Sequence, residues 1–168
     1  MQETICYSCR RPKANLSCNV CEEPICKACA QFLEVTRFSF LKAIPEELSH
    51  THYCPNCYDA HVAPALESYN EIMERARKVY FFFTTQKRQI PVFRKSREVL
   101  KVDGCEDRNE TILRLGFFAA EQGHNAIIEA EVTCKTIRNS GYQKSEWKGT
   151  GIAATVDAEK LERAASRE

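Results

Sequence analysis

The chain has no apolar run long enough to cross a bilayer. Its longest clusters, such as "VYFFF" at 79–83, fall far short of the roughly 20 residues that a spanning helix needs. The opening "MQETICYSC" carries neither the basic stretch nor the apolar stretch of a signal peptide. Also missing are a nucleophile, base and orienter constellation, a glycine-rich phosphate loop and a convincing carboxylate pair. These absences argue against a membrane span, a secreted disulfide scaffold and an enzyme, and set the expectation of a soluble protein of the reducing cytoplasm. The 168 residues make one medium domain or two small ones, and a module of about 60 residues has so thin an apolar core that it needs a staple.

Cysteine is what the sequence has in excess. There are 10, and eight of them form four C-x-x-C pairs: Cys6 and Cys9, Cys18 and Cys21, Cys26 and Cys29, Cys54 and Cys57. Two thiolates two residues apart converge on one ion from a tight turn, and two such turns complete a tetrahedral four-cysteine zinc site. A single pair would fit a redox couple or two core thiols as well. Four pairs within residues 6–57 point to two Zn2+ ions, with iron–sulfur binding as the minor alternative because the same thiolates serve it. Spacing alone leaves the wiring open. Sequential pairing joins Cys6, Cys9, Cys18 and Cys21, then Cys26, Cys29, Cys54 and Cys57; interleaved pairing joins Cys6, Cys9, Cys26 and Cys29, then Cys18, Cys21, Cys54 and Cys57.

The run C-x2-C, then C-x2-C-x4-C-x2-C, then a distant C-x2-C resembles the cross-braced FYVE-type zinc finger, and "CNVCEEPICKAC" is similar to that family's central segment. The likeness covers residues 6 to about 78, and it implies the interleaved pairing. Where that family has a basic, histidine-containing, lipid-reading run, this sequence has "KANLS", Lys13 to Ser17. Residues 1–60 hold six Lys/Arg against seven Asp/Glu, and two zinc–tetrathiolate sites would bring the finger to about minus five. Such a surface repels phosphates, so phosphoinositide and nucleic acid are disfavoured for the finger, with Arg10, Arg11 and Lys13 as a local exception. His50 and His52 are expected to cover the second site rather than ligate it. Composition suggests a strand over 32–40.

After Cys57 the apolar residues Tyr58, Val62, Leu66, Tyr69, Ile72, Met73 and Ala76 recur at helical spacing; Pro64 suits a first turn, so the helix is expected from about 64 to 78, its stripe packed between domains. The second half reads as strands at "VYFFFTT" and "SREVLKV", a helix near 108–122 with Asp107 and Glu110 at capping-box-like spacing and Gly123 as stop, a strand over "HNAIIEAEVTCKT" with Ala126, Ile128, Ala130, Val132 and Cys134 on its apolar side, the turn-rich "RNSGYQKS", and a last strand "EWKGTGIAATVD". The order β-β-α-β-β suggests an α+β domain with an antiparallel sheet backed by one helix. With "TTQKRQIPVF", "AAEQGHNAIIEAE" and "WKGTGIAATV", residues 78–157 resemble the YbjQ-type family, and that resemblance implies a small α+β domain described as heavy-metal-binding that assembles as a ring, commonly a pentamer. Cys105, Cys134 and His124 are the only further soft ligands there, and structural thiols are the expectation.

Residues 74–101 carry nine Lys/Arg against two acidic residues. The expected organisation is a FYVE-like finger at 1–63, a connecting helix at 64–77, a YbjQ-like oligomerisation domain at 78–157 and a polar tail at 158–168. The expected function is a non-catalytic zinc-binding interaction or adaptor protein, a homo-oligomer with a protein partner; the alternative functions are a RING-like accessory of an enzyme complex, or a nucleic-acid or phosphoinositide binder.

Overall fold

The computed structural model describes residues 4–86 and 89–166, in two units, Met1–Asn70 and Glu71–Glu168. Ahead of Pro55 its first unit has little regular secondary structure. β1 (Leu16–Ser17) pairs antiparallel with β2 (Pro24–Ile25), and β3 (Gln31–Phe32) with β4 (His52–Tyr53). The strand expected over 32–40 is instead the end of β3 followed by a 3-10 turn, Val35–Phe38. Buried Leu33 and Phe38 lie five residues apart, which suits a chain folding over a small core better than a pleated surface. Phe38 meets Tyr69 edge-on, ring centroids 5.1 Å apart. Tyr53 is fully buried, and its hydroxyl donates to the Glu47 carbonyl at 2.6 Å, so its polar end is satisfied.

Helical backbone begins earlier than position 64. α1 (Pro55–Cys57) runs through a π-helical turn, Tyr58–Val62, into α2 (Ala63–Ala76). Pro64 therefore sits inside a continuous helical path. It has no N–H to donate, and the wider π turn immediately before it absorbs the change of register. The apolar stripe serves both units: Val62 and Tyr69 are buried in the first, Ala76 in the second.

The second unit holds a four-stranded sheet in the order β5-β7-β8-β6, from β5 (Tyr80–Phe83), β6 (Val92–Cys105), β7 (Ala126–Asn139) and β8 (Tyr142–Val156). The sheet is mixed, where an antiparallel one is expected: β5 pairs parallel with β7, while β7–β8 and β8–β6 are antiparallel. The chain leaves β5, forms the far edge as β6 and returns through α3 (Arg108–Glu121), a connection long enough to bring β7 in along β5. Asp107 caps α3 by accepting the Glu110 N–H at 2.7 Å, and Glu110 accepts the Glu106 N–H at 2.7 Å. Gly123, at φ +79°, ends it, with His124 N–H donating back to the Ala119 carbonyl. Thr111, Leu115, Phe117, Phe118, Ala119 and Ala120 are buried on this helix.

A bulge decides the faces of β7. Ile128 opposes Ile152 and Glu131 opposes Thr150, so β7 spends one more residue than β8, with Glu129 in left-handed backbone at φ 52°. Alternation inverts beyond it. Cys134, expected on the side of Ala126 and Ile128, instead shares the side of Ile127 and Trp147, and it is exposed. The ladder also continues through "RNSGYQKS" to Asn139–Tyr142, because Ser140 and Gly141, at φ 39° and 98°, close a two-residue hairpin turn. The polar tail forms α4 (Ala158–Ala165), capped by Asp157, and its Leu161 packs on the cluster of Phe82, Ala126, Ile128, Ala154 and Val156. No described helix is long and apolar enough to cross a membrane.

Candidate metal centres

Each C-x-x-C pair sits on a turn built by its own backbone. Cys6 N–H donates to the Arg11 carbonyl and Arg10 N–H to the Cys6 carbonyl, both at 2.9 Å; Cys18 N–H donates to Glu23 and Glu22 N–H to Cys18, again at 2.9 Å. The residue after the second cysteine is left-handed in both knuckles, Arg10 and Glu22 at φ 61°. The other two pairs occupy helical turns. Ala30 N–H donates to the Cys26 carbonyl at 3.0 Å, and Cys54 caps α1, its sulfur accepting the Cys57 N–H at 3.4 Å.

One knuckle and one helical turn make each centre. The sulfurs of Cys6, Cys9, Cys26 and Cys29 all lie within 4.8 Å of one another, as do those of Cys18, Cys21, Cys54 and Cys57. The grouping is interleaved. Cys18 and Cys21 lie in the loop joining β1 to β2, and β2 carries the chain away from them to Cys26, at the other end of that hairpin. The four residues between Cys21 and Cys26 therefore separate the centres rather than closing one.

The donor sets fit tetrahedral metal–thiolate centres. Four sulfurs about 2.3 Å from a central ion stand about 3.8 Å apart. Cys9 and Cys26 Sγ are 3.8 Å apart, and so are Cys21 and Cys54 Sγ. That is nearly twice a disulfide bond of about 2.05 Å, and all eight cysteines are free.

Charge within the clusters is divided unevenly. The N–H groups of Cys9, Cys26 and Ser8 hold the Cys6 thiol down at about 6; the Cys26 N–H lies 3.3 Å from its sulfur. Burial raises Cys18, but the N–H groups of Cys21, Cys54 and Val20 outweigh it and hold that thiol at about 6. Sulfur neighbours, Cys26 first, push Cys29 up to about 12; burial, then sulfur neighbours, push Cys57 up; burial raises Cys21. Near neutral pH an ion would have to displace protons from Cys21, Cys29 and Cys57, whereas the lowered Cys6 and Cys18 thiols favour the thiolate. The sign follows. For Cys6 and Cys18 the lowered folded pKa contributes stability that is full above pH about 9 and is lost as pH falls through about 6. We therefore expect metal affinity to rise with pH, binding to release protons at pH 7.5, and affinity to fall more steeply below pH 6. Calorimetry of metal binding in buffers of differing ionisation enthalpy measures this; pH-independent affinity between 6 and 8 would contradict it.

A second expectation concerns wiring. Cys6→Ser and Cys26→Ser should perturb one ion, and Cys18→Ser and Cys54→Ser the other. Cobalt-substituted spectra that group Cys6 with Cys18 would exclude the interleaved centres.

Neither histidine of "HTHYC" joins a cluster. The His50 ring lies against Tyr53, centroids 6.1 Å apart, and His52 Nδ1 is 2.9 Å from Thr51 Oγ1. The His52 backbone instead exchanges hydrogen bonds with Asn19 of the second knuckle. In the second unit, Cys105 is buried and Cys134 exposed, each opposite Trp147 on a different side of β8, and no third metal-ligating cluster occurs among the described residues. Burial raises the Cys105 thiol and lowers His124, whose Nδ1 lies 3.0 Å from Thr155 Oγ1.

Arg11 and Lys13 line a cavity of about 300 Å3 beside the first centre together with Lys27, which sequence reading does not connect to them because it follows Cys26 on the other turn of that centre. Arg10 is turned instead over the Tyr7 ring, 5.6 Å from its centroid. The basic run 74–101 is spread over several elements: Arg75 lies on α2 and Arg94, Lys95, Arg97 and Lys101 on β6, while Lys87 and Arg88 lie outside the described residues. No protein-family profile, curated protein or solved structure matches the chain.

Proposed function

We propose that the protein is a non-catalytic zinc adaptor of the reducing cytoplasm, whose cross-braced, FYVE-like finger engages a protein partner and whose YbjQ-like α+β unit multimerises to display several fingers together. The observation that carries this reading is the pair of interleaved four-cysteine clusters with sulfurs at tetrahedral spacing. Zinc fits better than a multi-iron cluster, which interposes inorganic sulfide between its thiolates and needs a wider cage. The ions shape and hold the finger, and the chemistry they supply is structural.

Avidity gives the second unit its purpose. Several weak fingers held together gain about 10² to 10⁴ in apparent affinity for a clustered partner. Native mass spectrometry of the full chain tests both halves of the reading at once: the expected species is a homo-oligomer, a pentamer by family resemblance, with two zinc ions per subunit. A monomer at tens of micromolar would remove the avidity and leave a one-to-one adaptor; iron in place of zinc would remove the finger assignment. An accessory that recruits a catalytic partner, as RING-like fingers do, uses the same surface and is distinguished by the partner's identity.

The cavity flanked by Arg11, Lys13 and Lys27 favours one second reading, a phosphate-bearing ligand at the finger. Co-sedimentation with anionic and neutral vesicles, repeated with Lys13→Glu and Lys27→Glu, separates the two. Binding that is equal in all cases counts against it.

A further inference from the structure

The hairpin of β7 and β8 outruns the sheet to which it belongs. β5 accompanies β7 only as far as Ala130, and β6 last pairs with β8 at Cys105 and Trp147, whereas β7 and β8 stay paired out to Asn139 and Tyr142. From the pair of Lys135 and Glu146 outward the hairpin is a two-stranded ribbon of five register pairs, about 16 Å long.

Charge on this arm is one-sided. Residues 132–145 hold Lys135, Arg138 and Lys144, all exposed, and no acidic residue. At its root the signs mix, with Glu131, Glu146, Asp103 and Glu106 as well as Lys101 and Lys148. Glu146 stands directly opposite Lys135, which offsets it. A polyanion is therefore drawn to the outer ribbon rather than to the sheet behind it.

Opposed residues share a face of the ribbon. Ile137, Tyr142 and Lys144 stand with Lys135 and Glu146 on one face, and Arg138 and Gln143 on the other. The first face carries a hollow of about 350 Å3 lined by Gly104, Ile137, Tyr142, Lys144 and Glu146, at the small end of ligand-sized cavities. Tyr142 is 86% exposed. A free aromatic ring at a hollow, with a lysine two residues along the same face, supplies what an unstacked base and its neighbouring phosphate need. An acidic peptide would use the cations and leave the ring idle. A duplex keeps its bases stacked on each other and offers the ring no free face.

We propose that the β7–β8 arm binds single-stranded nucleic acid, one base stacking on Tyr142 in the hollow and the flanking phosphates meeting Lys144, Lys135 and, across the ribbon, Arg138. The site goes beyond the adaptor reading and does not depend on oligomerisation.

Fluorescence anisotropy of the full, metal-loaded chain with short labelled oligo(U) and oligo(dT) tests it. Binding of either is expected, falling with salt along a log–log slope of about −2, the value for three phosphate contacts on a single strand. Tyr142→Ala should weaken binding at least about fivefold with the slope unchanged, and Tyr142→Phe should bind like the wild type. Arg138→Gln with Lys144→Gln should reduce the slope by about 1.4. All three positions are exposed, and unchanged circular dichroism and metal content identify folded variants. If alanine disturbs the hairpin, Tyr142→Thr removes the ring while keeping a strand-favouring residue. Lys13→Glu with Lys27→Glu should change nothing; loss of binding there would place the ligand at the finger and overturn the site. So would no binding at low salt, Tyr142→Ala or Tyr142→Thr binding as tightly as the wild type, or an unchanged slope without Arg138 and Lys144. Tighter binding of a duplex of the same length, or displacement by polyglutamate that is indifferent to Tyr142, would overturn it in favour of a groove reader or an acidic-peptide surface.

Discussion

Removing the metal is expected to unfold the first unit and leave the four-stranded sheet standing. The paired strands of the first unit are two residues long, and strands that short have no independent stability. Its apolar core, chiefly Ile25, Leu33, Phe38, Leu48, Tyr53, Val62 and Tyr69, is small for about 60 residues of chain. The two centres close loops across each other, and a structural zinc in a finger contributes apparent free energies of about 10–16 kcal/mol, more than the whole net stability of many domains. Chelation should therefore abolish hydrogen-exchange protection through residues 5–62. Protection should persist in β7, β8 and α3, whose core of Leu115, Phe117, Ile127 and Ala153 contains no candidate metal ligand. Elemental analysis before chelation should find two ions per chain. One ion or fewer in freshly purified, reduced protein, or a first unit that stays protected after chelation, would sink the argument.

The two four-cysteine clusters were legible in the sequence because C-x-x-C confines two thiols to one turn whatever surrounds it. Spacing could not choose the partner of each pair, since that depends on which way β2 leaves the second knuckle. Local signals at α3 were legible for the same reason as the cysteines: Asp107, Glu110 and Gly123 act on backbone groups within a few residues. What was hidden depends on distant parts of the chain. Nothing near Glu129 announces a bulge, yet that one extra residue moves Cys134 from the side of Ala126 and Ile128 to the side of Ile127. Pro64 reads as a helix start, and only a π turn upstream lets the helix run through it. Lys27 joins Arg11 and Lys13 through the metal-centre fold, not through proximity in sequence.

Gly149→Ala and Gly151→Ala are expected to destabilise the second unit substantially, although each replaces glycine in a strand with a residue that favours ordered backbone. Both glycines have ordinary extended backbone, so conformational freedom does not explain them; space does. An added Cβ at Gly149 would lie 2.6 Å from Thr111 Cγ2 and 2.9 Å from Leu115 Cδ1, both on fully buried side chains of α3. At Gly151 it would press into Ile127 Cγ2, also fully buried, with Ala130 Cα and the Ile128 carbonyl 3.6 Å away. Relief requires α3 to lift from the sheet or β7 to shift at its bulge, and overpacking of this kind costs about 1–3 kcal/mol. Replacing glycine recovers roughly 0.5–1 kcal/mol of backbone entropy, so the clash wins. For a unit of this size a loss of 1 kcal/mol lowers the melting temperature by about 4–8 °C. The double variant should depart from additivity, because both methyl groups crowd the same layer between α3 and the sheet. Thr150→Ala is the control: its side chain lies between the two glycines in sequence but on the opposite face, only half-buried, and should change little. Differential scanning calorimetry of the full chain reads all four variants, and metal content should remain two ions per chain throughout, since none of these residues belongs to either cysteine cluster. Equal melting temperatures for wild type and Gly151→Ala would show that Ile127 can turn aside at no cost, and would withdraw close α3–sheet packing as the reason for the Gly-Thr-Gly sequence.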